Sequence, residues 1–273
     1  MSTLVFTDAR LIDARGTDPQ DHMAVIVEDQ TINWIGPSHL LENPDGATLV
    51  DVRGKTLMPG LIDVHVHICD GTTPNPIAEY TETIPFLAIQ GVLNAKAFLE
   101  AGFTTVRSLG AFGYADVAVK EAINQGLVPG PDILASGEMV IADGSGERGF
   151  RRPEVHVPES GMFTGVEGAR RAVRTQIYNG ADIIKLIASG RVGSNAYTLP
   201  WDTEMTREEM AAVCDEAHRF GKKVAAHAYS SAAVTDCVMA GVDSIEHGVL
   251  IDEATISLMA EYGTALVPTM SAF

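Results

Sequence analysis

Two histidines two residues apart, His65 and His67, close the run Met58-Pro59-Gly60-Leu61-Ile62-Asp63-Val64-His65-Val66-His67. Leu61 to Val66 is apolar and β-branched enough to read as a buried strand, and Pro59-Gly60 marks a turn into it. On a strand, residues two apart point to one face, and two imidazoles on one face can grip one metal ion together. A lone His-x-His reads about as well as a core pair satisfied by neighbouring backbone. The rest of the chain tips the balance, because further groups of the same chemistry end later strand-like segments. Lys185 lies inside the apolar run Ile183-Ile184-Lys185-Leu186-Ile187. A charged, unpaired lysine there carries a large desolvation cost. Snorkelling to a strand end or pairing with an acid is the ordinary escape. The other is chemical: a neutral, desolvated lysine can take up carbon dioxide as a carbamate, which is carboxylate-like and able to bridge two metals. His227 in Ala-Ala-His-Ala-Tyr and His247 in Ser-Ile-Glu-His-Gly each end a short apolar strand. Taken singly, each is more often a core histidine than a ligand. Taken in order, these residues recur at successive strand–loop–helix periods, which would set them all at one mouth of a barrel.

The elements that must position them follow from periodicity. Residues 3 to about 57 alternate in the manner of antiparallel strands, with Glu28-Asp29-Gln30 where a hairpin turn belongs. From residue 61 the pattern becomes strand, loop, helix, repeated, which predicts a parallel sheet with helices outside. Helices are expected at about 85–101, 116–124 and 166–179. Another opens at Thr206-Arg207-Glu208-Glu209, with Thr206 as N-cap and Glu209 completing a capping box. Strands are expected at 104–109, 132–136, 182–188, 224–228 and 244–247, and a seventh begins at Ala265. Two long loops, about 68–84 and 143–164, lack periodicity, and loops of that length are commonly functional or disordered. The chain therefore divides into a partial β-sandwich module, 1–57, and a partial barrel, 58–273.

Met-Pro-Gly-Leu-Ile-Asp-x-His-x-His resembles the first-strand motif of the amidohydrolase superfamily, and more narrowly its imidazolonepropionase-like and Xaa-Pro dipeptidase-like branch. Ile-Lys-Leu-Ile-Ala-Ser-Gly around Lys185 resembles that branch's strand-four motif. The resemblance runs from about residue 3 to the last residue. It implies an α/β fold, a TIM-type (β/α)8 barrel with divalent metals at the C-terminal ends of its strands, beside a small β-sandwich. It implies that His65 and His67 hold a first metal with a carboxylated Lys185, and that Lys185, His227 and His247 hold a second. Zinc is the favoured ion for imidazole and carboxylate donors. It also implies a catalytic role for Tyr229, polarising the scissile carbonyl or holding substrate; a tyrosine packed under a loop is the competing reading. Ser189 and Arg191 are candidates for a substrate carboxylate. Arg148, Arg151, Arg152 and His156 lie on the loop after the third strand, where relatives often carry Gly-Gly-His and this chain reads Asp143-Gly144-Ser145-Gly146-Glu147, so no role transfers to that loop.

The chain stops at Phe273 after seven expected strands, so the barrel is expected to be incomplete, lacking strand eight and the family's metal-binding aspartate that serves as general base. Asp243 and Asp252 flank strand six and do not replace it. The expectation is a truncated product, or a chain completed by a partner. The implied reaction is hydrolysis of a C–N amide bond by a binuclear, metal-activated water, on an Xaa-Pro-like dipeptide or an N-acyl amino acid. The alternatives are a cyclic amide, as in imidazolonepropionase, or an inactive barrel fragment. The net charge of −17 over 273 residues argues against nucleic acid or anionic membrane as partner. Hydrophobic content of 46% suffices for a core. No signal peptide and no membrane-spanning run is read. Three scattered cysteines, Cys69, Cys214 and Cys237, suggest reduced thiols and a cytoplasmic location. Unpaired strand edges leave assembly into a homo-oligomer open.

Overall fold

The computed structural model describes residues 2–71, 82–145, 161–190 and 198–272. The chain divides into two compact units, Met1–Leu61 and Ile62–Phe273. The first holds β1 (Thr3–Leu11), β2 (Gln20–Glu28), β3 (Thr31–Pro37), β4 (Thr48–Asp51) and β5 (Thr56–Leu57) in one five-stranded sheet. The hairpin turn falls at Asp29-Gln30, with Asp29 in the left-handed region at φ 52°. One expectation is corrected. β1 pairs antiparallel with β2, but parallel with β4 and β5. Side-chain alternation has the same period in both pairings, so it carries no information about strand direction. The described strands of this unit lie in a single sheet. β1 is a single strand whose register slips between Phe6 and Ala9, with Asp8 at φ 59°, which breaks the alternation without ending the strand.

The second unit alternates strand and helix. It comprises β6 (Leu61–Val66), α1 (Ile84–Glu100), β7 (Phe103–Ser108), α2 (Ala115–Asn124), β8 (Asp132–Ala135), β9 (Ile141–Ala142) and β10 (Met162–Phe163). These are followed by α3 (Gly165–Tyr178), β11 (Ile183–Ile187), α4 (Arg207–Arg219), β12 (Lys223–Ser230), α5 (Ser231–Ala240), β13 (Ser244–Leu250), α6 (Glu253–Tyr262) and β14 (Ala265–Val267). Strands β6-β7-β8 and β11-β12-β13-β14 form two sheets. Backbone contacts stitch them together: Asp182 N–H donates to Ala135 C=O (2.7 Å), Val140 N–H to Lys185 C=O (2.7 Å) and Ile187 N–H to Val140 C=O (3.2 Å). The two-residue pair β9–β10 lies within and beside the loop read as patternless, being too short to show a period.

Each strand of the β11–β13 sheet has two chemically different faces. Ile184 and Leu186 of β11, Val224 and Ala226 of β12 and Ile245 of β13 are buried in one apolar core with Val173 of α3, Val213 of α4 and Val234 of α5. Burial of each larger aliphatic side chain there is worth roughly 1.5–3 kcal/mol. Local signals set where the helices begin. Thr206 Oγ1 accepts the Glu209 N–H (3.2 Å) while the Glu209 carboxylate accepts the Thr206 N–H (2.9 Å), the expected capping box of α4. Ser230 and Asp252 cap α5 and α6 in the same way, accepting the N–H of Ala233 and Thr255. No helix among the described residues is long and apolar enough to cross a membrane.

Candidate metal centre

The opposite face of the sheet is where the singled-out residues meet. Ile183, Lys185 and Ile187 alternate with the core-facing residues of β11, and the parallel register sets Lys185 beside Ala225 and Ile187 beside His227. Ile183 and Ala225 form a small apolar floor with Leu109. Above that floor Lys185 is only 2% exposed. On β13 the register pairs Ala225 with Ser244 and His227 with Glu246, so Glu246 shares the inner face. Simple alternation would then turn His247 outward to the helices. It does not, because His247 takes the left-handed conformation at φ 76°, followed by Gly248 at φ 60°. Left-handed backbone is costly for a residue with a Cβ, so this kink is a local strain that brings two consecutive side chains to one side.

The result is a string of imidazoles. Ring centroids of His65 and His67 lie 5.5 Å apart, those of His65 and His247 5.1 Å, and those of His227 and His247 4.7 Å. Tyr229 joins them, stacked on His247 at 5.0 Å and edge-on to His227 at 4.8 Å. The side-chain donors are not drawn into a tight coordination group of three or more histidine, cysteine or carboxylate residues among the described residues. The donor chemistry nonetheless fits a divalent ion. Burial first, then the neighbouring Lys185 charge, pushes His247 down to about 3. Burial pushes His65 down to about 4, against the raising effect of a hydrogen bond to Glu246. Both rings are therefore neutral at physiological pH, the state in which imidazole binds metal.

Behind these rings lies a buried polar network that sequence reasoning missed. Glu246, fully buried, accepts from His65 Nδ1 on Oε2 (2.7 Å) and from Arg107 Nη2 on Oε1 (2.7 Å). Ser244 Oγ donates to Glu246 Oε1 (2.7 Å) and accepts from Arg107 Nη1 (3.1 Å). Arg107 Nε also donates to the Val64 carbonyl, one residue before His65. These contacts show that the strand series curls, since β6 and β7 at its start reach β13 near its end. Burial pushes the Glu246 carboxyl up, but the His65 hydrogen bond and the Lys185 and Arg107 charges outweigh it and hold the group below the usual carboxylate value. The signal was present in the sequence: Arg107 in Thr-Val-Arg-Ser and Glu246 in Ser-Ile-Glu-His are charges inside apolar strands, as Lys185 is. His67 is braced differently, its Nδ1 lying 3.3 Å from the Gly110 carbonyl oxygen.

Other expected positions sort as follows. Ser189 is fully buried, accepting the Tyr229 N–H (3.1 Å) and donating to the Gly190 carbonyl (3.1 Å), so it braces the Tyr229 strand. Asp243 sits at the other end of the strands, where His218 Nε2 (2.8 Å), Lys223 Nζ (2.6 Å) and the Val224 N–H (2.8 Å) surround it. Asp252 is the cap of α6. Arg148, Arg151, Arg152, His156 and Arg191 lie outside the described residues. All three cysteines are buried, free thiols. A surface hollow of about 620 Å³ beside Arg207, Ser231, Asp236 and Thr255 contains none of the site residues.

Comparison with known proteins identifies the family of this chain. A profile of the Amidohydrolase family matches residues 56–272. Among curated proteins, ochratoxinase of Aspergillus niger is 31% identical over 279 residues, covering 93% of this chain and 56% of that protein. Among solved structures, an Xaa-Pro dipeptidase with methionine bound in its active site superposes with a TM-score of 0.91 at 32% identity, covering 99% of this chain and 68% of that one. A prolidase complexed with N-methylphosphonate-L-proline gives a TM-score of 0.89 at 34% identity, covering 98% and 66%. The chain thus spans little more than half the length of the curated relative it matches.

Proposed function

This chain belongs to the amidohydrolase family, and on that premise we propose that the protein containing it hydrolyses a C–N amide bond at a binuclear metal centre. The observation that carries the reading is the convergence of four imidazoles, His65, His67, His227 and His247, on the inner face that also buries Lys185. His65 and His67 would hold one ion with Lys185, and His227 and His247 the other, with Lys185 as a carbamate between them. Formation of that carbamate joins the neutral Nζ to carbon dioxide and releases one proton. Divalent ions so held, zinc by preference, would lower the pKa of a water nucleophile and polarise the substrate carbonyl. The chain's own residues do the rest. Tyr229, stacked against His247, offers a phenol beside the imidazoles where a carbonyl or its developing oxyanion can be held. The apolar floor of Ile183, Ala225 and Leu109 closes the centre from below and keeps water out of its base.

The first substrate class is an Xaa-Pro-like dipeptide or an N-acyl amino acid, with support from the names of the neighbours: dipeptidase and prolidase structures at 32% and 34% identity. A cytoplasmic site of action belongs to the same proposal, and assembly into a homo-oligomer stays open. The test is metal content per chain of the purified full-length protein beside its Lys185→Ala variant, together with hydrolysis assays on an Xaa-Pro dipeptide, an N-acyl amino acid and a cyclic amide. About two ions per chain, falling in the variant, with turnover of one of the first two substrates, is the expected result. Folded protein without bound metal sinks the reading; turnover of the cyclic amide alone moves the substrate class to the imidazolonepropionase type.

A further inference from the structure

A carboxylate has no hydrogen to give, so in the 2.7 Å contact between Glu246 Oε2 and His65 Nδ1 the hydrogen belongs to the histidine. The other carboxylate oxygen is already engaged. Oε1 takes a charge-assisted bond from Arg107 Nη2 (2.7 Å) and a second from Ser244 Oγ (2.7 Å), so rotation of the carboxylate would break both. Arg107 is itself tied back to β6 through the Val64 carbonyl and to Ser244 through Nη1. Every side chain in this chain of contacts is almost wholly removed from solvent: Glu246 is fully buried, and the side chains of His65 and Arg107 are 10% and 14% exposed. Such a network is built to hold one orientation of one ring. With the hydrogen fixed on Nδ1, a neutral imidazole carries its lone pair on Nε2.

We infer that Glu246, clamped by Arg107 and Ser244, is a positioning residue that fixes His65 as the Nδ1–H tautomer and so makes Nε2 the nitrogen available to a divalent cation. The inference rests on the metal-centre reading above and adds to it a residue that touches neither metal nor substrate. Carboxylates that accept the second N–H of a ligating histidine raise its basicity and fix its ring, and their loss typically weakens metal binding about 10–100-fold. Glutamine is the informative replacement. It has the same shape, but only one oxygen to serve three donors. Either it keeps Arg107 and Ser244 satisfied and turns its NH2 toward His65 Nδ1, which favours the Nε2–H tautomer, or it serves His65 and sets an NH2 against Arg107.

The test uses the full-length, metal-free protein with ¹⁵N-labelled histidine. Long-range ¹H–¹⁵N correlation spectra read the tautomer of each ring, with His65 assigned by its disappearance in His65→Gln. Zinc affinity is read in parallel by competition with a chelator. The expected result is Nδ1–H for His65 in the parent, a shift toward Nε2–H in Glu246→Gln, and zinc affinity about tenfold or more weaker in that variant. A parent His65 that carries its hydrogen on Nε2, or a Glu246→Gln protein with unchanged tautomer and unchanged zinc affinity, overturns the inference. A purely structural role would alter stability while leaving the tautomer alone. If Glu246→Gln does not fold, the parent tautomer decides by itself. If His65→Gln binds zinc as tightly as the parent, it is the metal-centre reading that fails, and this inference with it.

Discussion

The two faces of β11, β12 and β13 are built from the same three strands and do opposite things. The outer face presents Ile184, Leu186, Val224, Ala226 and Ile245 to the helices, and nothing there is ionisable. The inner face presents Lys185, His227, Glu246 and the kinked His247, nearly all as deeply buried. Desolvation weakens the folded state for every one of those charges or would-be charges. A protein selected for stability alone would not place them there. The outer face therefore holds the fold together, and the inner face spends part of that stability on a preorganised set of donors.

The sharpest way to test that division is a pair of neighbouring substitutions on one strand. Leu186→Ala removes packing from the outer core and should cost about 2–5 kcal/mol in chemical denaturation of the metal-free protein. Lys185→Met keeps the volume on the inner face and removes a desolvated amine. It should cost distinctly less than Leu186→Ala in the same measurement, while bound zinc per chain falls by at least one. If Lys185→Met proved the more destabilising of the two, the inner face would be carrying stability after all.

Gly110 probes the boundary between the faces. It adopts φ +137°, and an added Cβ would meet Met139 Cγ at 2.9 Å and His67 Cε1 at 3.5 Å. Its carbonyl also receives His67 Nδ1. Gly110→Ala should therefore cost about 1–3 kcal/mol of stability, seen as a lower denaturation midpoint, and weaken zinc binding through displacement of the His67 ring. Unchanged zinc affinity with lowered stability would limit Gly110 to the backbone.

Two buried carboxylates sharpen the comparison from another side. Glu246 is surrounded by cations and a histidine, and its pKa is held down. Asp116, at the start of α2, is equally buried, but its hydrogen bonds come from backbone amides, Gly137 N–H (3.1 Å) and Val117 N–H (2.9 Å). Burial wins over those bonds and pushes it up to about 6. The sign follows from linkage. An acid whose pKa is higher in the folded chain than in the unfolded one favours folding at low pH and loses that advantage as pH rises through about 6. The difference in stability between the parent and Asp116→Asn should thus shift in favour of the variant by up to about 3 kcal/mol between pH 4 and pH 7. Denaturation curves at those pH values read it; a pH-independent difference would mean that the amides keep Asp116 ionised throughout.

Much of this architecture was legible in the sequence because periodicity and spacing report faces. His65 and His67, Lys185 and His227 reach the inner face by plain alternation, and Thr206 and Glu209 form the capping box their spacing suggests. His247 reached the same site for a reason the sequence did not state. Alternation from Ser244 places Glu246 inward and His247 outward, and only the left-handed turn at His247 makes both inward. Reading His247 as inward therefore left Glu246 unexplained, and with it Arg107, although both are charges within apolar strands. In the first unit the strands were legible and their directions were not, since β4 and β5 run parallel to β1 with the same alternation that antiparallel strands show. Length beyond the pattern also hides: the two-residue pair Ile141–Ala142 and Met162–Phe163 leaves no period to detect.

The smallest expected effect closes the contrast between buried and exposed charge. Between α3 and α4, Glu216, itself buried, accepts from the more exposed Arg174 Nε (2.6 Å) and Arg170 Nη1 (3.1 Å), and Arg170 also reaches Asp215 (2.5 Å). These are short, well-made contacts, on distance alone the equal of those around Glu246. Yet the Arg174 side chain is 59% exposed, so water and salt screen it, and Arg170 remains to serve Glu216 when it is lost. Arg174→Gln should change stability by less than about 1 kcal/mol, and less still at high salt. The carboxylate partner is buried in both cases, so the same substitution chemistry at Arg107, whose own side chain is only 14% exposed, should cost several times more in parallel denaturation curves. Equal costs at the two arginines would show that burial does not set the worth of these pairs, and would remove the reason for treating the inner-face network as anything more than a brace.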